Sequence, residues 1–234
     1  MTQAPVENKI IIAIDGPAGS GKSTLASLLA RQYNYVNIET GAMYRALALK
    51  AIQSGISPDD GPALERLASQ SRIELVPRQE GNRVLLDGVD VTERIRQQEV
   101  TDAASRVSVH PPVREWMVDH QRQMGSGGGV VMEGRDIGTK VFPNAEVKIF
   151  LDAAPEVRGT RRFLQQPETT TCDKSVLEEL HARDLRDRTR ATSPLVPAPD
   201  AVLIDSTQLT LDEVVNRATE IIGSRLKVLN AAGS

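Results

Sequence analysis

Apolar residues fall into two patterns along this chain. Short apolar runs occur at Ile10–Ile14, Val130–Met132, Val147–Leu151 (broken only by Lys148) and Val202–Ile204. Such runs suit strands buried on both faces of a sheet, and Tyr35-Val36-Asn37-Ile38 reads as one more strand. Between them the spacing turns helical, with Leu25, Leu28 and Leu29, then Leu47, Leu49 and Ile52, then Val113, Trp116, Met117 and Met124, and a last helix from Leu211 to Leu226. Strands alternating with helices predict an α/β fold, a parallel sheet with helices on both faces. Trp116 falls on the apolar stripe of its helix and is expected in the core, whereas Arg114 lies off that stripe, free to face a ligand or water. An Ala/Ser-rich run about Ala103-Ala104-Ser105 reads as a further helix, and Pro111-Pro112 opens the next.

From Ile73 to Thr92 the pattern changes. Ile73–Val76, Val84–Leu86 and Val89–Val91 are separated by Pro77, Gly81-Asn82 and Asp87-Gly88, and Asp-Gly is a hairpin signal. Strands this close cannot be joined by helical crossovers, so a small antiparallel insertion is expected, either a cover for a second substrate or a structural flap. Gly125-Ser126-Gly127-Gly128-Gly129 lacks a lysine and precedes a strand, and reads as a flexible turn. Ala231 to Ser234 reads as a loose tail.

The first run leads into Gly16-Pro17-Ala18-Gly19-Ser20-Gly21-Lys22-Ser23, which fits G-x-x-x-x-G-K-[ST], the P-loop. Its strand–loop–helix setting is what the chemistry needs. Backbone N–H groups and the helix N-terminus cradle phosphates, Lys22 reaches the β/γ phosphates, and the Ser23 hydroxyl sits on Mg²⁺. Other polar residues cluster where strands end, on the crevice edge of an open α/β sheet. Thr40, Tyr44 and Arg45 follow the second strand, with Thr40 either a helix N-cap or a ligand contact and Arg45 either solvated or a clamp for a second phosphate. Glu133-Gly134-Arg135-Asp136 ends the third. Arg158, Arg161 and Arg162 and the polar stretch Gln165–Lys174 suit a lid over the triphosphate. Arg183, Asp187 and Arg190 are spaced i, i+4, i+7 on one stripe, while Asp184 and Arg188 fit a solvated i, i+4 pair.

Composition narrows the setting. A net charge of -3 over 234 residues gives no electrostatic footprint for nucleic acid. One cysteine, Cys172, excludes an internal disulfide and a cysteine metal cluster, and no run of about 18 apolar residues predicts a membrane span. Met1–Asn8 lacks the apolar core of a signal peptide, so a cytoplasmic protein is expected. His110, His120 and His181 have no metal-ligand spacing.

Taken together, Ile14-Asp15-Gly16-Pro17, Thr40–Arg45, Glu133–Asp136, Arg183–Arg190 and Ser193-Pro194-Leu195-Val196-Pro197 resemble the bacterial cytidylate kinases, from the P-loop to the last strand. The resemblance implies a monomeric ATP- and Mg²⁺-dependent kinase of CMP and dCMP in pyrimidine nucleotide metabolism. It implies a core at 9–40, 100–155 and 195–226, an NMP-binding insertion at about 41–99 and a lid at about 156–174. By the same resemblance Gly16 to Thr24 bind ATP with Arg162, and Arg45 and Arg135 meet the acceptor phosphate. Thr40, Ser105, Arg114, Asp136 and Arg190 surround the cytosine with Tyr44 beside them, and Arg183 and Asp187 meet the pentose. Lys22, Arg135, Arg158 and Arg190 are the expected catalytic cations. The family often has Ser where Thr40 stands and Asp where Glu133 stands, which bears on base or sugar preference. A GTPase switch would need a guanine-reading Asn-Lys-x-Asp after the P-loop; the one Asn-Lys, Asn8-Lys9, precedes it. A kinase of another acceptor such as shikimate, or a scaffold without turnover, is separated from this reading by assay.

Overall fold

An apolar run such as Ile10–Ile14 is satisfied only where both faces of a strand are covered, and it takes the centre of the sheet. The computed structural model describes residues 9–78, 81–164 and 174–232. The chain runs β1 (Ile11–Asp15), α1 (Lys22–Tyr33), β2 (Val36–Glu39), α2 (Thr40–Gln53), α3 (Gly61–Ser69), β3 (Ile73–Arg78), β4 (Gly81–Leu86) and β5 (Val89–Asp90). It continues through α4 (Gln98–Val107), α5 (Pro111–Gly125), β6 (Val130–Gly134), β7 (Val147–Asp152), α6 (Pro155–Leu164), α7 (Lys174–Thr189), β8 (Val202–Asp205) and α8 (Leu211–Ala232). Cys172, the segment 165–173 expected to complete the lid, Met1–Asn8 and the last two residues lie outside the described residues.

Five strands form a parallel sheet in the order β2-β6-β1-β7-β8. Alternation along β1 sends Ile12 and Ile14 to one face, against Leu25 and Leu29 of α1 and Val214, Ala218 and Ile222 of α8. Ala13 faces the other side, with Met132, Ile38 and Ile137, where Val118 and Met124 of α5 close over it. The carboxyl ends of all five strands therefore point the same way, and the P-loop leaves the middle one.

The antiparallel insertion is present as β3-β4-β5. Asp87 and Gly88 both have positive φ, 51° and 83°, the geometry that favours Asp-Gly in a tight hairpin. Pro77 does not end the first strand as expected. β3 runs through it to Arg78, which is tolerated because β3 is an edge strand, paired on one side only. The small sheet shares one apolar cluster with α2, α3, α4 and α5, through Met43, Leu64, Val84, Val100 and Met117. Trp116 is half-buried on its margin, with its ring 3.9 Å from that of His120.

Helix α3 was not anticipated, although its signals are local. Asp60 caps Ala63 N at 3.0 Å, Pro62 sits in the first turn, and Leu64, Leu67 and Ala68 are its buried face. Helix α8 continues to Ala232, so Ala231 is helical and not part of a loose tail.

The glycine turn before β6 is pinned, not flexible. Gly129 N donates to Ile10 O at 3.0 Å and Gly129 O accepts from Val36 N at 2.9 Å, so the turn ties the starts of three strands. Gly128 has φ 64°, and a Cβ there would lie 2.0 Å from Lys9 O. Gly128→Ala is expected to lower the unfolding free energy by about 2–4 kcal/mol, and Gly127→Ala, whose Cβ would meet nothing within 4 Å, by under about 1 kcal/mol. Urea unfolding of the two variants side by side checks this.

Candidate active site

The P-loop turns tightly because Gly16, at φ 151°, passes so close to β7 that a Cβ would lie 2.0 Å from Leu151 O. It opens onto a cavity of about 610 Å³ lined by Ala18 to Thr24 and by five arginines, Arg45, Arg135, Arg161, Arg162 and Arg183. Gly16 and Pro17 are not in that lining; they form the turn behind it. Lys22 is buried, and its Nζ donates to Pro17 O at 2.6 Å, closing the loop on itself. Burial first, and then Arg135, push the Lys22 ammonium pKa down. A triphosphate would reverse both effects by supplying negative charge.

Ser23 Oγ donates to Glu133 Oε1 at 2.8 Å. Burial pushes the Glu133 carboxyl up, Lys22 opposes it, and Glu39, opposite Glu133 in the β2·β6 register, adds to it. Glu39 in turn holds Arg45 in an ion pair. Thr40 is not the helix cap; Glu39 is at that position, and Thr40 Oγ1 donates to Glu133 O at 2.8 Å, tying the start of α2 to β6.

A second, narrow pocket of about 50 Å³ adjoins the large cavity. Thr40, Tyr44, Ser105, Arg114, Arg135, Asp136, Arg183, Asp187 and Arg190 all line it, so α2, α4, α5, α7 and the residues just beyond β6 and α7 bring together nine of the residues expected to meet the acceptor. The tenth, Arg45, lines the large cavity. Arg114 does not face water: it is 2% exposed, its guanidinium donating to Asp136 Oδ2 at 2.6 Å and to Ser108 O at 3.1 Å while lying 5.6 Å from the Tyr44 ring centre. From there opposite charges alternate across the pocket. Asp136 Oδ1 lies 3.9 Å from Arg190, Arg190 lies 3.6 Å from Asp187, and Arg135 Nε donates to Asp187 Oδ2 at 2.9 Å. Against the effect of burial, Arg135, Arg183 and Arg190 together hold Asp187 below the usual carboxylate range. Burial and the nearby Arg135 push Arg183 down to about 10.

Three expectations change. Asp184 does not pair with Arg188; it pairs with Arg158 at 2.7 Å, and Arg188 approaches Asp152 instead. Arg158 does not line the cavity as a catalytic cation would. Its Nε donates to Ala153 O and another nitrogen to Ala18 O, so this buried side chain braces the P-loop against α7. Arg190 lines the narrow pocket with Asp136, as expected of a residue around the base, and not the large cavity, as expected of a catalytic cation.

Ser206, Gln98 and Arg186 had no assigned role in the sequence reading. Arg161 donates to Ser206 Oγ and Ser206 O, each at 2.9 Å, so the loop after β8 closes one end of the large cavity. The signal was available, since that loop lies at a strand's carboxyl end. Arg186 Nε donates to Ser105 Oγ at 3.1 Å, and Gln98 accepts from Arg162 at 3.3 Å, across a separate pocket that shares Arg162 and Arg183 with the large cavity. Among the described residues, no group of three or more His, Cys, Asp and Glu side chains is placed to hold a metal, and no helix is long and apolar enough to cross a membrane.

A glycine loop between central strand and helix, a buried lysine on that loop, and an arginine-rich crevice define a P-loop protein of the phosphotransferase kind. The family model for cytidylate kinase matches residues 12–224, and the chain belongs to the cytidylate kinase family. It is 50% identical over 224 residues to a cytidylate kinase of Geobacillus thermodenitrificans, covering 94% of this chain and 100% of the relative. It is 53% identical to one from Pelotomaculum thermopropionicum, covering 87% and 92%, and 51% identical to one from Enterococcus faecalis, covering 92% and 96%. A crystal structure of a protein from Eubacterium ventriosum shares the fold, at a TM-score of 0.51 and 16% identity, covering 93% of this chain and 99% of its own.

Proposed function

We propose that this protein transfers the γ-phosphoryl group of ATP to the α-phosphate of CMP and dCMP, giving ADP and the nucleoside diphosphate. The observation that carries the reading is the run of alternating charge from Arg114 through Asp136, Arg190 and Asp187 to Arg135, which joins a polar pocket of nucleoside-reading character to the P-loop cavity. Asp136 and Ser105 offer acceptors for an amino group on a base, and a site built that way rejects a base lacking it by leaving buried polar groups unpaired. Asp187 and Arg183 line the narrow pocket, Arg183 lines the large cavity as well, and the two would meet the pentose hydroxyls.

An oxygen of the acceptor phosphate attacks the γ-phosphorus in line, and the bond to the bridging oxygen of ADP breaks with its electron pair leaving on ADP. The attacking oxygen is already an anion, so no strong base is required and placement with charge stabilisation does the work. Lys22 and the P-loop N–H groups hold the donor phosphates, and Arg45 and Arg135 hold the acceptor phosphate, exchanging their present partners Glu39 and Asp187 for it. The oxygen donors Ser23 Oγ and Glu133 Oε1, 2.8 Å apart in the cavity, fit a hard divalent cation and would hold Mg²⁺. When bound, that ion neutralises charge on the phosphates. A volume of about 50 Å³ holds little more than a water or two, so a nucleoside enters only as the walls of the pocket separate.

Incubation with CMP and ATP labelled in the γ-phosphate tests the reading. Label is expected in the β-phosphate of CDP; label found in inorganic phosphate alone would overturn it.

A further inference from the structure

Pairing between β1 and β6 ends where Asp15 stands opposite Gly134. Beyond that point the two strands part. One becomes the P-loop at Gly16, and the other continues to Arg135 and Asp136. The Asp15 side chain spans the gap, its Oδ1 accepting from Ile137 N and its Oδ2 from Gly138 N, both at 2.8 Å. These are the first two residues of a π turn, Ile137–Val141, directly after Asp136. Gly138 is hemmed in from the other side as well, since a Cβ there would lie 3.1 Å from Lys148 Cδ on β7. Asp15 itself is 4% exposed. A strand end needs no carboxylate for its own stability, and burying one is costly unless its oxygens are used. Here both are used, on the backbone that carries two of the proposed acceptor residues.

We propose that Asp15 is a positioning residue for phosphoryl transfer, its carboxylate fixing Arg135 and Asp136 relative to the P-loop so that the donor and acceptor halves share one brace. In-line transfer is sensitive to displacements of about 1 Å, which can cost on the order of 10²-fold in rate. The brace depends on charge. Burial, against the two N–H bonds, pushes the Asp15 carboxyl up to about 6, with Asp136 adding to the rise and Lys22 of α1 opposing it. Protonation below that pH therefore leaves one of the two N–H groups facing a neutral hydroxyl oxygen.

This inference rests on the proposed phosphoryl transfer for its kinetic consequence, but its structural part can be read without substrate. In ¹⁵N-labelled, ligand-free protein, the Ile137 and Gly138 amide signals are expected to titrate together between about pH 5 and 7, and to stop doing so in the near-isosteric variant Asp15→Asn. In that variant kcat/KM for CMP, per folded molecule, is expected to fall about 30-fold, with the ATP dissociation constant changed by less than about threefold. Amides that ignore pH in the wild type would overturn the brace. So would a variant that melts at lower temperature with unchanged kinetic constants, since that would make Asp15 merely structural. Titrating amides in a protein that leaves CMP unphosphorylated would refute the catalytic positioning along with the proposed function, and would leave only a structural contact.

Discussion

Replacing Lys22 with methionine is expected to lower kcat by about 10³-fold while leaving the protein at least as stable at pH 7. The two halves of that expectation have one cause. Lys22 is buried at the start of α1 among P-loop backbone and close to Arg135, and both burial and Arg135 act against its charge in the ligand-free molecule. Its folded-state pKa lies below the unfolded one, so the folded state holds fewer protons there and gains stability as pH rises through that window. The charged lysine is thus an expense to the fold that only a bound triphosphate offsets. Methionine keeps the stem, loses the hydrogen bonds to Pro17 O and, at 3.4 Å, to Ser20 Oγ, and removes the unfavourable charge. Steady-state kinetics and thermal melts on the same preparation check both halves. Loss of folding together with activity would mean that Lys22 is a structural loop clamp.

The second large effect is expected at Asp136. In Asp136→Asn, kcat/KM for CMP should fall by at least about 10³-fold, while KM for ATP moves less than about threefold. Asn keeps the shape but loses the charge on which Arg114 and Arg190 converge. The structure argues against alanine at this position, because deleting one member of a buried pair costs about 3–5 kcal/mol and would mix unfolding with loss of recognition. A matching loss on the ATP side would assign Asp136 to support of the P-loop and not to the acceptor.

Much of this site was legible in the sequence because its parts are local or periodic. The P-loop is eight contiguous residues, the strand ends are marked by short apolar runs, and Arg183, Asp187 and Arg190 share a stripe by spacing alone. What spacing does not encode is the choice of partner. Asp184 has Arg188 one turn away, but an exposed i, i+4 pair yields only about 0.3–0.5 kcal/mol, and the buried Arg158, far off in sequence, takes it instead. Arg114 lies off its helix's apolar stripe, which by spacing allows either water or a ligand; the surface it faces is the pocket wall, and Asp136 makes burial of its charge tolerable. Asp15 was visible only as the residue before a glycine loop. Its role depends on the register of two strands more than 100 residues apart, which no local pattern carries.

Selectivity of this phosphotransferase for cytosine nucleotides is read from ADP formation from Mg·ATP with CMP, dCMP, UMP, AMP, GMP, dTMP and shikimate offered separately. Rapid turnover is expected with CMP and dCMP, and kcat/KM values lower by about 10²-fold or more with the others. Preferred turnover with a different acceptor would contradict the base pocket, and steady nucleotide hydrolysis with no acceptor would contradict the kinase.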